Sequence, residues 1–223
     1  MIAIDELGDR LYGTPVYLEY EAPEVRRSEI LRYAGVRTAG AAEKSADTAD
    51  PEGMEALLEE ILALASGEFT YRVAFLRFRP DADVSEFPLN RYLSESENLM
   101  KNLSGCSEAI IFAATVGAGI DRLIRRYERI APAKSLLLQA YGAERVEALC
   151  DQFNQDLSSV LSGRGWHTHP RFSPGYGDLS IEIQPVLLSL LDAEKRLGIT
   201  LGSSYLMSPS KSVTAVIGLE RTL

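Results

Sequence analysis

The chain has 223 residues, with 32 Asp and Glu against 23 Lys and Arg, giving a net charge of −9; 46% of it is hydrophobic and 25% charged. A globular chain of this length buries roughly 70% of its unfolded surface and needs no disulfide or structural metal to fold. The acidic balance argues against a nucleic-acid backbone or an anionic lipid surface as partner, and no stretch reaches the ~18–20 apolar residues of a membrane span.

Acidic residues within the first ten positions are the wrong flank for a secretory signal. Cys106 and Cys150 show no CxxC spacing, so each reads as a packed hydrophobe in a reducing, cytoplasmic setting.

Pro23 fits the first turn of a helix reaching about Ala34, with Gly35 as its stop. Residues 38–52 (TAGAAEKSADTADPE) lack periodicity and read as an exposed loop. Met54, Leu57, Leu58, Ile61, Leu62 and Ala65 follow helical spacing. Tyr71 to Phe78 (YRVAFLRF) alternates as a half-buried strand does, and residues 81–88 are turn-rich. Ser94 is the expected N-cap of a short helix through Leu103. The continuous apolar run Ala109 to Val116 fits a central strand.

A helix then opens at Gly117 to Gly119 and stops before Pro132. A long helix runs from Pro132 to about Leu161 on the ladder Val146, Leu149, Cys150, Phe153, Leu157 and Val160. Residues 163–178 read as a loop, and Pro185 to Leu197 as one helix stopped by Gly198. Tyr205 to Met207 and Val213 to Leu219 read as short strands around a Pro209 turn. Strands and helices mix without a βαβ rhythm, so the expected fold is α+β: a mixed, mainly antiparallel sheet with flanking helices.

Chemistry concentrates in Arg171 to Asp178 (RFSPGYGD). Pro174 fixes φ and Gly175 permits positive φ, so the backbone turns sharply and leaves polar groups free. Arg171 offers a planar fork suited to a carboxylate, and Tyr176 a flat face with a hydroxyl. Other features carry less. Gly117 to Gly119 lacks the third glycine of a dinucleotide fingerprint and reads as tight strand–helix packing. Asp121 reads as favourable charge at a helix start.

His167 and His169 stand two apart without a finger-like set of further ligands, so no metal site is expected. No Gly-x-Ser-x-Gly elbow is present, and no catalytic nucleophile is expected. Arg122, Arg125, Arg126 and Arg129 read as a solvated helix face, with docking of an acidic protein as the alternative.

Arg171, Pro174, Gly175 and Tyr176 match the Arg-x-x-x-Gly-Tyr motif and its neighbouring proline, so the chain resembles the S-adenosylmethionine-binding activation domain of cobalamin-dependent methionine synthase. Leu190, Leu191, Glu194, Lys195, Gly198, Leu201, Ser204, Met207, Pro209, Ser212 and Val213 continue the resemblance. Upstream, Glu147, Ala148 and Asp151 match that family's acidic helix. The similarity is clear from about Ala140 to Gly218. After the Gly-Tyr pair, Gly177 to Ser180 replaces the Cys-Pro-Asp-His-like sequence of the family's methionine synthase form.

The resemblance implies a stand-alone unit over residues 1–223, with a divergent part at 1–105 and a ligand-binding part at 106–223. Such a unit binds S-adenosylmethionine and presents its methyl group to the cobalamin of a separate methionine synthase. It thereby reactivates that enzyme reductively, from cob(II)alamin to methylcobalamin, in methionine biosynthesis. The unit is then an accessory to a methyltransferase, served by a flavodoxin-like or ferredoxin-like electron donor. Arg171 is implied to hold the ligand carboxylate, Glu147 its ammonium group, and Gly175 and Tyr176 to shape the pocket. His167, His169 and Lys211 are implied as contacts to the corrin or the partner. The alternative is a module serving another corrinoid methyltransferase, or a ligand-binding domain without this activity.

Overall fold

The computed structural model describes residues 14–36, 51–80 and 89–222. The first thirteen residues, the acidic stretch at 37–50 and the turn-rich segment 81–88 lie outside it, so the signal, loop and turn expectations there have no structural counterpart. Among the described residues no helix is long and apolar enough to cross a membrane.

The core element is an antiparallel sheet of five strands: β1 (Val16–Tyr20), β2 (Tyr71–Phe78), β3 (Cys106–Thr115), β7 (Ser212–Arg221) and β4 (Trp166–Thr168), in the order β1-β2-β3-β7-β4. Every pairing is antiparallel, with Phe75 opposite Phe112 and Ile111 opposite Val216. The expected α+β class holds. The sheet also joins strands from both halves of the chain.

Helices cover both faces. On one face lie α1 (Arg27–Tyr33), α2 (Pro51–Ala65), α5 (Gly119–Tyr127) and the 31-residue α6 (Pro132–Ser162). They pack on Val73, Phe75, Ile110, Phe112, Ala215 and Ile217. The other face holds α3 (Asn90–Ser94), α4 (Glu97–Asn102), α7 (Gln184–Leu190) and α8 (Ala193–Leu197) over Ala74, Leu76, Ala109, Ile111 and Val216. A strand covered on both faces has no solvated side, which is why β3 reads as an unbroken apolar run.

Phe153 of α6 anchors the first face, its ring centroid 5.4 Å from that of Phe75 and 5.0 Å from that of Phe112. Truncating such a ring to Ala costs about 3–5 kcal/mol.

Several boundaries differ from expectation. The first helix starts at Arg27, not Pro23, because Pro23 and Glu24 offer their carbonyls to the buried Arg145. Residues Pro51 and Glu52 belong to α2. Ser94 closes α3, and the N-cap of α4 is Ser96, whose hydroxyl accepts from the Leu99 N–H at 3.1 Å. The Asp178 carboxylate accepts from the Glu97 N–H at 2.8 Å, a partner 81 residues away that fixes this start.

The helix expected over 185–197 is two helices. Asp192 takes φ 47° between them and turns the chain so that Leu187, Leu191, Ala193 and Leu197 are all buried; a short polar side chain tolerates that left-handed conformation. Strand β1 and the two-residue β5 (Thr200–Leu201) have no counterpart in the sequence reading, while the strand expected over Tyr205 to Met207 lies at β6 (Met207–Ser208), which pairs with β5. The loop expected at 163–178 contains the edge strand β4, and β7 runs ten residues, not seven.

Candidate functional site

Arg171 lies just beyond the end of β4, on a segment still stitched to β7. The His169 N–H donates to the Gly218 carbonyl at 2.9 Å, and Phe172 and Val216 exchange both backbone hydrogen bonds at 2.8 Å. This fixes the backbone on either side of Arg171, so its guanidinium reaches across to α6.

There Nη2 donates to Oε2 of Glu147 at 2.6 Å and Nη1 to Oδ1 of Asp151 at 2.8 Å. The i, i+4 spacing puts both acids on one helix face, as expected. The other Asp151 oxygen accepts from Nη1 of Arg26 at 2.8 Å. Arg26 also meets Glu144 at 3.3 Å, and Glu144 pairs with Arg145 at 2.6 Å. Three arginines and three acids thus form a continuous chain, from the fully buried Glu144–Arg145 pair to the half-buried Arg171.

Burial alone would raise the Asp151 carboxyl, but the Arg171 and Arg26 hydrogen bonds outweigh it and hold the group below the usual carboxylate range. Burial works against the Arg171 charge, and the bond to Asp151 with its neighbouring acids more than restores it.

Beside this pair opens a pocket of about 370 Å³, lined by Glu147, Arg171, Phe172, Ser173, Pro174, Tyr176, Gln184, Met207, Ser212, Val213 and Thr214. The volume falls within the usual range of small-molecule sites. Gly175 adopts φ 89° at the tip of the loop and donates its N–H to the Leu179 carbonyl at 2.9 Å. It shapes the turn without lining the pocket. Tyr176 is 72% exposed at the rim. Asp178 ties the far end of the loop to α4: its carboxyl is lowered chiefly by the Ser96 hydroxyl and, against desolvation, by the α4 backbone N–H groups.

The remaining candidates lie elsewhere. His167 and His169 line a neighbouring cavity with Asn154, Leu157 and Pro170. Both ring nitrogens of His169 are engaged, Nδ1 with the Asn102 carbonyl and Nε2 with Glu220 at 3.0 Å. Lys211 turns to α6, donating to Gln139 at 2.7 Å with its stem over Gly142; burial lowers its basicity. Trp166 sits between the guanidinium groups of Arg77 and Arg221, each 4.7 Å from its ring.

Asp121 stands in the first turn of α5, and its carboxylate also accepts from Ser210 N–H and Oγ at 2.7 and 2.6 Å, bracing the turn before β7. Among the described residues no group of three His, Cys, Asp or Glu side chains is placed to hold a metal ion.

Gln184, Thr214 and Arg26 escape the sequence reading. The first two are polar residues inside otherwise apolar elements, a signal that was readable; Arg26 acts across 125 residues, which no local pattern reports.

An antiparallel sheet helix-covered on both faces, with a pocket where its edge ladder stops, places the chain in the α+β class. The crystal structure of the MetH reactivation domain bound to AdoHcy has this fold: its TM-score is 0.63 at 15% identity, over 94% of this chain and 79% of that one. No protein-family model matches the sequence, and no curated protein matches it.

Proposed function

We propose that the chain binds S-adenosylmethionine in the pocket beside Arg171 and presents its methyl group to a cobalamin held by a partner protein. The observation that carries this reading is the meeting of Glu147 and Arg171, 24 residues apart and 2.6 Å from each other, on the wall of a pocket whose loop is Phe172 to Tyr176. The fold is that of a domain solved with AdoHcy.

The charges suit an amino-acid tail. An incoming carboxylate takes Arg171 while the ammonium takes Glu147, so a zwitterion exchanges into the pair without leaving a half-buried charge unpaired. Asp151 keeps Arg171 in place throughout. The sulfonium charge is favoured by an acidic wall, and Tyr176 at the rim covers the ligand. Reduced cobalamin on the partner supplies the acceptor for the methyl group; this chain binds, orients and shields.

Under this reading the whole chain is one accessory unit of a cobalamin-dependent methionine synthase. It works in the cytoplasm with a flavodoxin-like or ferredoxin-like donor, for which the exposed Arg122, Arg125, Arg126 and Arg129 offer a basic face.

Calorimetric titration of the chain with S-adenosylmethionine and S-adenosylhomocysteine tests the ligand. Saturable binding at micromolar to low-millimolar concentration supports the reading, and no binding of either overturns it. Rescue of oxidised methionine synthase, run beside other corrinoid proteins, tests the partner.

A further inference from the structure

Three consecutive residues of β7, Ser212, Val213 and Thr214, all line the pocket. Side chains alternate across a strand, so three in a row line one cavity only when the backbone edge itself faces it. The register agrees. Val216 exchanges its backbone hydrogen bonds with Phe172, and Gly218 accepts from His169 on the same edge. By the two-residue alternation of an antiparallel ladder, the N–H and C=O groups of Thr214 and Ser212 point to that edge as well. Among the described residues the ladder on that side ends at Phe172. The next rung therefore opens into the pocket.

A buried side chain stands beside it. Gln184 is 4% exposed, and its Oε1 accepts from the Thr214 hydroxyl at 2.9 Å. With the oxygen taken, its amide N–H donors remain for the pocket. Gln184 and Thr214 occupy the sheet face that is apolar elsewhere, where Val216 and Ile111 stand. Two buried polar side chains there are costly without partners. Phe172 and Met207 supply apolar walls.

An acceptor and a donor two residues apart on one strand edge, next to an amide donor and between apolar walls, match the edge of a 6-aminopurine. We infer that the open edge of β7 reads the purine base of the ligand: the Ser212 carbonyl accepts from the 6-amino group, the Thr214 N–H donates to the adjacent ring nitrogen, and Gln184 donates to a further ring nitrogen. The strand edge thus sets the specificity, and Gln184 adds affinity for the base. The inference rests on the proposed function, because it assigns the base end of the ligand whose amino-acid end lies at Arg171 and Glu147.

The test compares S-adenosylhomocysteine with S-inosylhomocysteine by calorimetry on the unmodified chain. The 6-oxo base presents an acceptor where the carbonyl of Ser212 needs a donor and a ring N–H where Thr214 offers one. Affinity should fall at least about tenfold. In Gln184→Leu, checked for folding by circular dichroism, binding of both ligands weakens by a similar factor, because the ring nitrogen Gln184 reads is an acceptor in either base.

Equal affinity for the two ligands overturns the edge-reading inference and leaves the proposed function standing. Unchanged affinity for S-adenosylhomocysteine in folded Gln184→Leu overturns the part given to Gln184. Failure of S-adenosylhomocysteine and S-adenosylmethionine alike to bind overturns both readings together.

Discussion

Asp151 divides its carboxylate between two arginines: Oδ1 takes Arg171 at 2.8 Å and Oδ2 takes Arg26 at 2.8 Å. One is on the loop at the pocket, the other at the start of α1. A single helix residue thus joins the N-terminal part of the chain to the site. Its loss should be felt more in ligand affinity than in stability, because half-exposed pairs contribute little to folding while the position of Arg171 depends on them.

On the proposed function, replacing Arg171 with Ala removes a charged hydrogen bond to the ligand and should weaken S-adenosylmethionine about 10–100-fold; it should lower stability by no more than about 1 kcal/mol, because the protein pairs are partly exposed. Arg171→Lys should rescue little, because an ammonium cannot reproduce the fork that meets Glu147 and Asp151 together. Calorimetry with a parallel denaturation curve checks both. Unchanged affinity in folded Arg171→Ala would remove the residue from the site.

Acid should erode the loop and the Asp151 bridge. Asp151 and Asp178 both sit below the usual carboxylate range. A carboxyl lowered in the folded state stabilises fully above its unfolded value, near ~4, and loses that contribution as pH falls through the folded value. The stability gap between the native chain and Asp151→Asn should be constant above about pH 5 and close below about pH 4. Thermal melts across that range decide it; a gap that persists at low pH would show that the ion pairs are not its source.

Glu144 and Arg145 are fully buried and 2.6 Å apart. Arg145→Met should cost about 3–5 kcal/mol, because it strands a buried carboxylate next to Arg26 and frees the Pro23 and Glu24 carbonyls. The double change Glu144→Gln with Arg145→Met should recover part of that loss. Urea denaturation of the single and double variants measures the coupling, and additive losses would refute it.

Gly119 belongs to the glycine pair before α5. A Cβ there would overlap the backbone carbonyl of Glu68, and one on Gly117 would overlap the Thr70 hydroxyl. Gly119→Ala should therefore destabilise by about 1–3 kcal/mol through overpacking. Gly175→Ala, at φ 89° with open space around it, should cost only the backbone strain, about 1 kcal/mol. Equal losses at the two positions would deny the close approach.

Local physics made much of the fold legible in the sequence. The apolar run of β3, the ladder of α6 and the Pro132 start are set by neighbours within a turn or a pleat, and each element forms where its pattern places it. So is the Arg171 loop, where Pro174 and Gly175 dictate the bend. Contacts across the chain decided the rest. Ser96, not Ser94, begins α4 because Asp178 arrives 82 residues later to cap it. Asp192 breaks a helix of uninterrupted pattern because burying Leu191 and Ala193 together repays one left-handed residue. Glu147 and Arg171 could be named from the sequence, but their contact could not, nor the role of Arg26. Among the described residues, the rung at Thr214 is open because β4 and its extension end at Phe172. Periodicity reports which face of an element is apolar; which strand edge is left unpaired is known only once every strand has found its neighbour.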